Sequence, residues 1–111
     1  MSQDNTSFTS IDRIAVRQVF TGIRGRYAHG ERCTLGDVAL DADTVIPIHH
    51  HPHEQVTYLL EGSMHFVVGD ETQLMKPGDI AVIPGGVPHG GRTISACRVI
   101  DVFAPARDDY R

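Results

Sequence analysis

The chain contains no tryptophan, a single lysine, two cysteines and no apolar run approaching the roughly 18 residues of a membrane span. The missing span excludes an integral helical membrane protein, and no membrane partner is expected. Lys76 is the only lysine and the nine arginines are scattered, so no concentrated positive patch forms, and the net charge is -4. That argues against a nucleic-acid-binding surface, and no nucleic-acid partner is expected. Cys33 and Cys97 lie far apart and belong to no CxxC pair, which argues against a disulfide framework or a structural zinc knuckle. The N-terminal stretch MSQDNTSFTS is polar and has no apolar h-region, so a cytoplasmic protein is expected. The lack of tryptophan excludes nothing.

What is present suits an ordinary folded domain. With 111 residues, 41% of them hydrophobic and 22% charged, the chain is about one domain long and can bury roughly two thirds of its unfolded surface without covalent staples. Residues 1–12 are expected to form a flexible N-terminal segment and residues 13–111 a single domain. Apolar positions recur at short intervals, broken by glycine, proline or aspartate, and no 3.6-residue period is sustained. The pattern predicts an all-β fold with strands over 14–20, 33–40, 45–51, 55–61, 64–68, 72–75, 80–83, 91–94 and 96–103. So many short strands imply a sandwich or barrel. The stretch GIRGRYAHGER, residues 22–32, is expected to be a loop over one end of it.

Two stretches carry the chemistry: HHHPHEQVTYLLEG, which begins at His49, and GDIAVIPGGVPH, which ends at His89. In an extended strand, residues two apart face the same way, so His49 and His51 project together while His50 points to the other face. Pro52 interrupts the ladder, and Gln55 opens the next strand within reach of the same space. The tight PGGVP turn can return His89 from a distant part of the sheet. Three imidazoles and an amide suit one divalent transition metal, with nickel, zinc, iron, manganese and cobalt all acceptable, and leave positions open for water or substrate.

These stretches resemble the two cupin motifs. HxHxxxE followed by glycine is matched at His49, His51 and Gly62, and GxxxxxPxGxxH at Gly78, Pro84, Gly86 and His89; the fifteen residues between Gly62 and Gly78 form the short spacer of compact single-domain cupins. The resemblance implies a small double-stranded β-helix, a jelly-roll barrel with metal near its middle. Gln55 stands at the usual glutamate position and Thr93 where asparagine is frequent. A neutral amide would leave the ion its full charge and favour anionic or keto-bearing substrates, while weakening metal affinity. Strand parity aims the adjacent Glu54 away from the two histidines, and His53 is expected at the pocket mouth.

In the last expected strand, SACRVIDVF, parity places Cys97, Val99, Asp101 and Phe103 on one side. If that side lines the barrel, Asp101 is an acid placed to move protons; the alternative is a surface pairing with arginine. The tail DVFAPARDDYR adds a resemblance to the subgroup of small cupins related to the pectin-degradation protein KdgF, in which an Asp, a Phe two residues on and an Arg four beyond lie at the active site. Asp101, Phe103 and Arg107 match that spacing. The resemblance implies conversion of a 4,5-unsaturated uronic acid to its linear keto form, with Asp101 relaying a proton, Arg107 holding the substrate carboxylate and Phe103 packing on the sugar. A non-haem iron dioxygenase or a non-catalytic sugar- or metal-binding module would use the same histidines. Val56, Tyr58, Leu60, Ile100 and Val102 take the outward parity, so a homodimer packed sheet to sheet is expected.

Overall fold

Alternation along the chain decides which faces meet. In β10 (Cys97–Ala104), Cys97, Val99 and Phe103 are buried while Arg98 and Val102 face outward, and β3 (Thr34–Leu40) buries every second residue from Thr34 to Leu40. The computed structural model describes residues 7–111. Of the N-terminal segment expected to be flexible, residues 1–6 lie outside the described residues, and Ile11–Arg13 form one 3-10 turn. The remaining strands are β1 (Arg17–Phe20), β2 (Ile23–His29), β4 (Val45–His49), β5 (Glu54–Glu61), β6 (Met64–Val68), β7 (Glu71–Met75), β8 (Ile80–Ile83) and β9 (His89–Thr93).

They form two antiparallel sheets, one ordered β1-β2-β3-β10-β5-β8 and the other β4-β9-β6-β7. Packed face to face, these make the expected jelly-roll barrel. Leu59 and Ile83 from the larger sheet and Met64 from the smaller are sealed between them at 0–1% exposure, where truncation to alanine costs about 2–5 kcal/mol. Gly62 closes the β5–β6 corner with φ +86°, and a Cβ there would run into the Ala96 carbonyl. Both conditions select glycine.

One expectation fails. The stretch read as a loop contains β2, which pairs along its whole length with β3 and on its other side with β1. Its alternation is hidden because Gly25 occupies an inward position where an apolar side chain would have signalled a strand; Ile23, Gly25 and Tyr27 are the buried set. Two boundaries also move at the site: β4 stops at His49, and β9 starts at His89.

The outer face of the larger sheet carries the expected apolar positions. Strand pairing sets Val82, Val56, Val102 and Leu35 side by side in one row, with Val82 at 59% exposure. Cys33 is exposed, Cys97 is buried, and both are free thiols. Among the described residues, no helix is long and apolar enough to cross a membrane.

Candidate functional site

The β4–β9 ladder pairs His49 directly with His89, bringing their ring centroids to 4.4 Å. His51, two residues past the end of β4, lies 4.9 Å from His89 ring to ring. The Gly86 amide donates to the His51 carbonyl at 2.8 Å, so the PGGVP turn is tied to the first histidine segment. One nitrogen from each of the three rings lies within 4.8 Å of the others. This is the convergence the spacing predicted.

The rings are also oriented. Nδ1 of His49 lies 2.7 Å from the Pro47 carbonyl, Nδ1 of His51 3.0 Å from that of His53, and Nδ1 of His89 2.9 Å from that of Val87. A carbonyl only accepts, so each Nδ1 carries the proton and each Nε2 keeps its lone pair. Burial, then the Arg107 charge, lowers His51 to about 4, and burial lowers His89 as well. Both are therefore neutral near pH 7, the form that binds metal.

Two features fit a cation here. The His89 Nε2 atom is buried without a hydrogen-bond partner among the described residues. His51 Nε2 faces Gln55 Oε1 at 3.0 Å, and with His51 neutral and its proton on Nδ1 this sets acceptor against acceptor. A positive ion near the rings resolves both. His49, His51, His89 and Gln55 are the residues that could hold it, a set suited to a transition metal.

Gln55 leads from these rings to the acid. Its amide NH2 donates to Thr57 Oγ1 at 3.0 Å, and the Thr57 hydroxyl donates to Asp101 Oδ1 at 2.7 Å. The β5–β10 register explains the run, pairing Thr57 with Asp101 and Gln55 with Phe103. Asp101 thus shares the inward side with Val99 and Phe103 and lines the cavity, and it does not take the alternative surface pairing. Burial pushes its carboxyl up to about 6, opposed by the hydrogen bonds from Thr57 and Gln55 and by the Arg107 charge.

After β10 the C-terminal arm folds back over the cavity. The Arg107 amide donates to Thr34 Oγ1 at 2.8 Å. His29 lies 3.3 Å from the Tyr110 carbonyl through Nε2 and 2.9 Å from Thr34 Oγ1 through Nδ1, so Nε2–H donates to Tyr110 and the Thr34 hydroxyl donates to Nδ1. The Arg107 guanidinium is 3.9 Å from the Tyr110 ring centroid and 4.7 Å from that of Phe103, a stacked arrangement that favours arginine. Its Nε and one terminal NH2 donate to the two carboxylate oxygens of Asp109. Arg107 is buried at 6% exposure.

These groups surround a cavity of about 70 Å³, lined by His49, Gln55, Thr57, His89, Asp101, Phe103 and Arg107 together with apolar residues of both sheets. At roughly 10–15 Å³ per water, it admits several solvent molecules, so it is not closed core. Glu54 is exposed and points away, as expected. His53 stands beside the three-histidine cluster, its ring 5.4 Å from His51 and 6.5 Å from Phe103, and its Nδ1 is buried without a partner among the described residues. Thr93, at the position where asparagine is frequent, is a clasp: its hydroxyl donates to the Asp41 carbonyl at 2.6 Å and accepts the Thr44 amide at 2.8 Å. Thr57, Thr34 and Tyr27 were not singled out from sequence. Thr57 has the parity of Gln55 and Asp101 and was legible; Thr34 and Tyr27 depend on contacts with β2 and the tail.

Known proteins agree with this picture. The Cupin_2 family, described as the cupin domain, matches residues 36–103. The pectin degradation protein KdgF of Dickeya dadantii is 32% identical over 65 residues, which are 58% of this chain and 59% of that one. The dimethylsulfoniopropionate lyase DddQ of Ruegeria pomeroyi is 35% identical over 57 residues, 50% of this chain and 28% of that one. The matched stretches thus span about three fifths and about a quarter of these two curated relatives. The solved structure of KdgF from a Halomonas species superposes with a TM-score of 0.86 at 30% identity, covering 95% of this chain and all of that one. Two motifs, the paired antiparallel sheets and the histidine cluster between them lead to one assignment: the chain belongs to the cupin family, as a small single-barrel member resembling KdgF.

Proposed function

We propose that this protein is a metal-dependent enzyme that opens a 4,5-unsaturated uronate to its linear keto form. The observation that carries the reading is one cavity lined by His49, His89, Gln55, Thr57, Asp101 and the stacked Arg107, with His51 completing the three-histidine cluster beside it. Its resemblance to two KdgF proteins supports the choice of substrate class.

The reaction is an isomerisation. Loss of the anomeric hydroxyl proton breaks the C1–O5 bond, giving an aldehyde at C1 and an enolate over C4, C5 and the former ring oxygen. A proton delivered to C4 completes the 5-keto product. A divalent metal held by His49, His51, His89 and Gln55 would supply Lewis acidity toward the substrate oxygens. Arg107 holds the substrate carboxylate with the guanidinium edge that Asp109 does not occupy. Phe103 covers the sugar face. Asp101 carries the proton between the anomeric oxygen and C4, and Thr57 fixes the carboxyl by occupying one of its oxygens. Two copies of the chain pair through the apolar row Val82, Val56 and Val102.

The test is loss of ultraviolet absorbance from 4,5-unsaturated galacturonate, with and without chelator. Conversion that stops on chelation and returns with a divalent metal is expected. Conversion indifferent to both chelation and Asp101→Ala rejects the mechanism, and oxygen uptake by iron-loaded protein would move the reading to a dioxygenase.

A further inference from the structure

Tyr27 is the cavity residue that the proposed chemistry leaves without a task. Strand pairing across the larger sheet sets Tyr27, Gly36, Asp101, Thr57 and Ala81 in one row. Between the phenol and the acid stands only Gly36, which has no side chain. The ring lies flat on the sheet. A Cβ at Gly25 would fall 2.5 Å from its Cζ and hydroxyl oxygen, and one at Gly36 would fall 2.6 Å from its Cε1. Two glycines therefore form a trench one ring long, and a side chain at either would lift the ring into the cavity.

The ring is held there by Tyr110, 4.8 Å away centroid to centroid, and lines the cavity at 8% exposure. Its hydroxyl makes no hydrogen bond to any described residue, yet the oxygen is not among the buried atoms sealed without a partner. A phenol with an apolar body and an unspent donor at the rim of a cavity is satisfied by water or by a ligand. Burial, then the negative charge of Asp101, holds this phenol well above its ordinary range. It remains protonated and can donate, but does not act as a base.

We propose that Tyr27 is a substrate-contacting residue whose hydroxyl donates a hydrogen bond to a hydroxyl or ring oxygen of the sugar acid, from the sheet facing His49 and His89. The assignment rests on the sugar-acid reading and names a further group that reads the ligand. The Gly25–Gly36 trench keeps the ring down against the sheet, where it lines the cavity.

Tyr27→Phe keeps the ring in its trench and removes only the donor. Metal-replete wild type and variant are compared for kcat and KM on 4,5-unsaturated galacturonate, for calorimetric binding of D-galacturonate, and for melting temperature. In parallel, wild-type protein carrying ring-labelled tyrosine is titrated with D-galacturonate; it has only three tyrosines, and Tyr58→Phe and Tyr110→Phe assign their signals. The expected result is about three- to tenfold weaker galacturonate binding and a matching rise in KM, with kcat within twofold, as for loss of one neutral hydrogen bond made equally in ground and transition states. The Tyr27 signal shifts on titration, which remains decisive if the variant does not fold. Binding within twofold of wild type, or an unmoved Tyr27 signal, overturns the assignment. If wild type binds galacturonate but converts no unsaturated sugar, the catalytic reading falls and Tyr27 is judged on binding alone. If wild type binds neither sugar acid, both fall.

Discussion

Arg107 offers two guanidinium hydrogens to the carboxylate of Asp109, two residues further along, at 3.0 and 2.9 Å. The pair fastens the C-terminal arm, and it makes Asp109 a probe of that arm. Hydrogen bonding from Arg107 holds the Asp109 carboxyl down to about 2, below its ordinary value near 4. A depressed acid stabilises the fold above the unfolded pKa and ceases to do so as the pH falls through the folded one. The melting-temperature difference between wild type and Asp109→Asn should therefore be level above about pH 5 and close between pH 4 and pH 2. Asp109 is mostly exposed, so the difference is small and shrinks in salt. Identical melting at pH 6 would refute the contact.

Metal content should follow the three rings. Elemental analysis of protein purified with nickel or zinc should give near one equivalent in wild type and little in His49→Ala or His89→Ala. Saturating metal should raise the melting temperature of wild type alone, since a ligand that binds only the folded state stabilises it. Gln55→Glu should bind metal more tightly and work less well on an anionic substrate. Equal metal retention in wild type and both histidine variants would refute the site.

Removing the acid should separate chemistry from metal binding. Asp101→Asn should lower kcat by about 10²–10⁴-fold, the range of a lost general acid–base, with metal content unchanged. Thr57→Val should give a smaller loss, because Thr57 only orients the carboxyl. Full turnover by Asp101→Asn would assign the proton transfer elsewhere.

The arm can also be loosened from beneath. Thr34 is fully buried and binds both the Arg107 amide and His29. Thr34→Val strands that amide, which costs about 1–3 kcal/mol, and should raise KM through displacement of Arg107. Chemical denaturation and steady-state kinetics measure both. A variant as stable as wild type would mean the arm is held by other contacts.

Association is expected to depend on the outer apolar row. Light scattering should give a dimer mass for wild type and a monomer mass for Val102→Glu with its melting transition retained. A monomeric wild type at assay concentration removes the sheet-to-sheet pairing.

Much of this protein is legible in one dimension. Two-residue alternation already announced an all-β fold and which residues of β10 share one side, because a strand turns successive side chains to opposite faces whatever its neighbours. The same rule separated His49 and His51 from His50, and Glu54 from Gln55. It failed at β2, because glycine reads as a turn signal wherever it stands. Gly25 and Gly36 are required in strands by a ring that lies across both, and that demand exists only once β2 and β3 are paired.

The residue order thus determined the fold class, the candidate histidine ligands and which residues of the last strand share a face with Asp101, all of which follow from strand alternation and motif spacing. Tertiary structure alone decided the register that pairs Thr57 with Asp101, the proton positions that leave three Nε2 lone pairs facing inward, and the return of Arg107 beneath the Tyr110 ring. These are contacts between residues far apart along the chain, and they arise only when the two sheets close on each other and the tail finds the buried Thr34 hydroxyl.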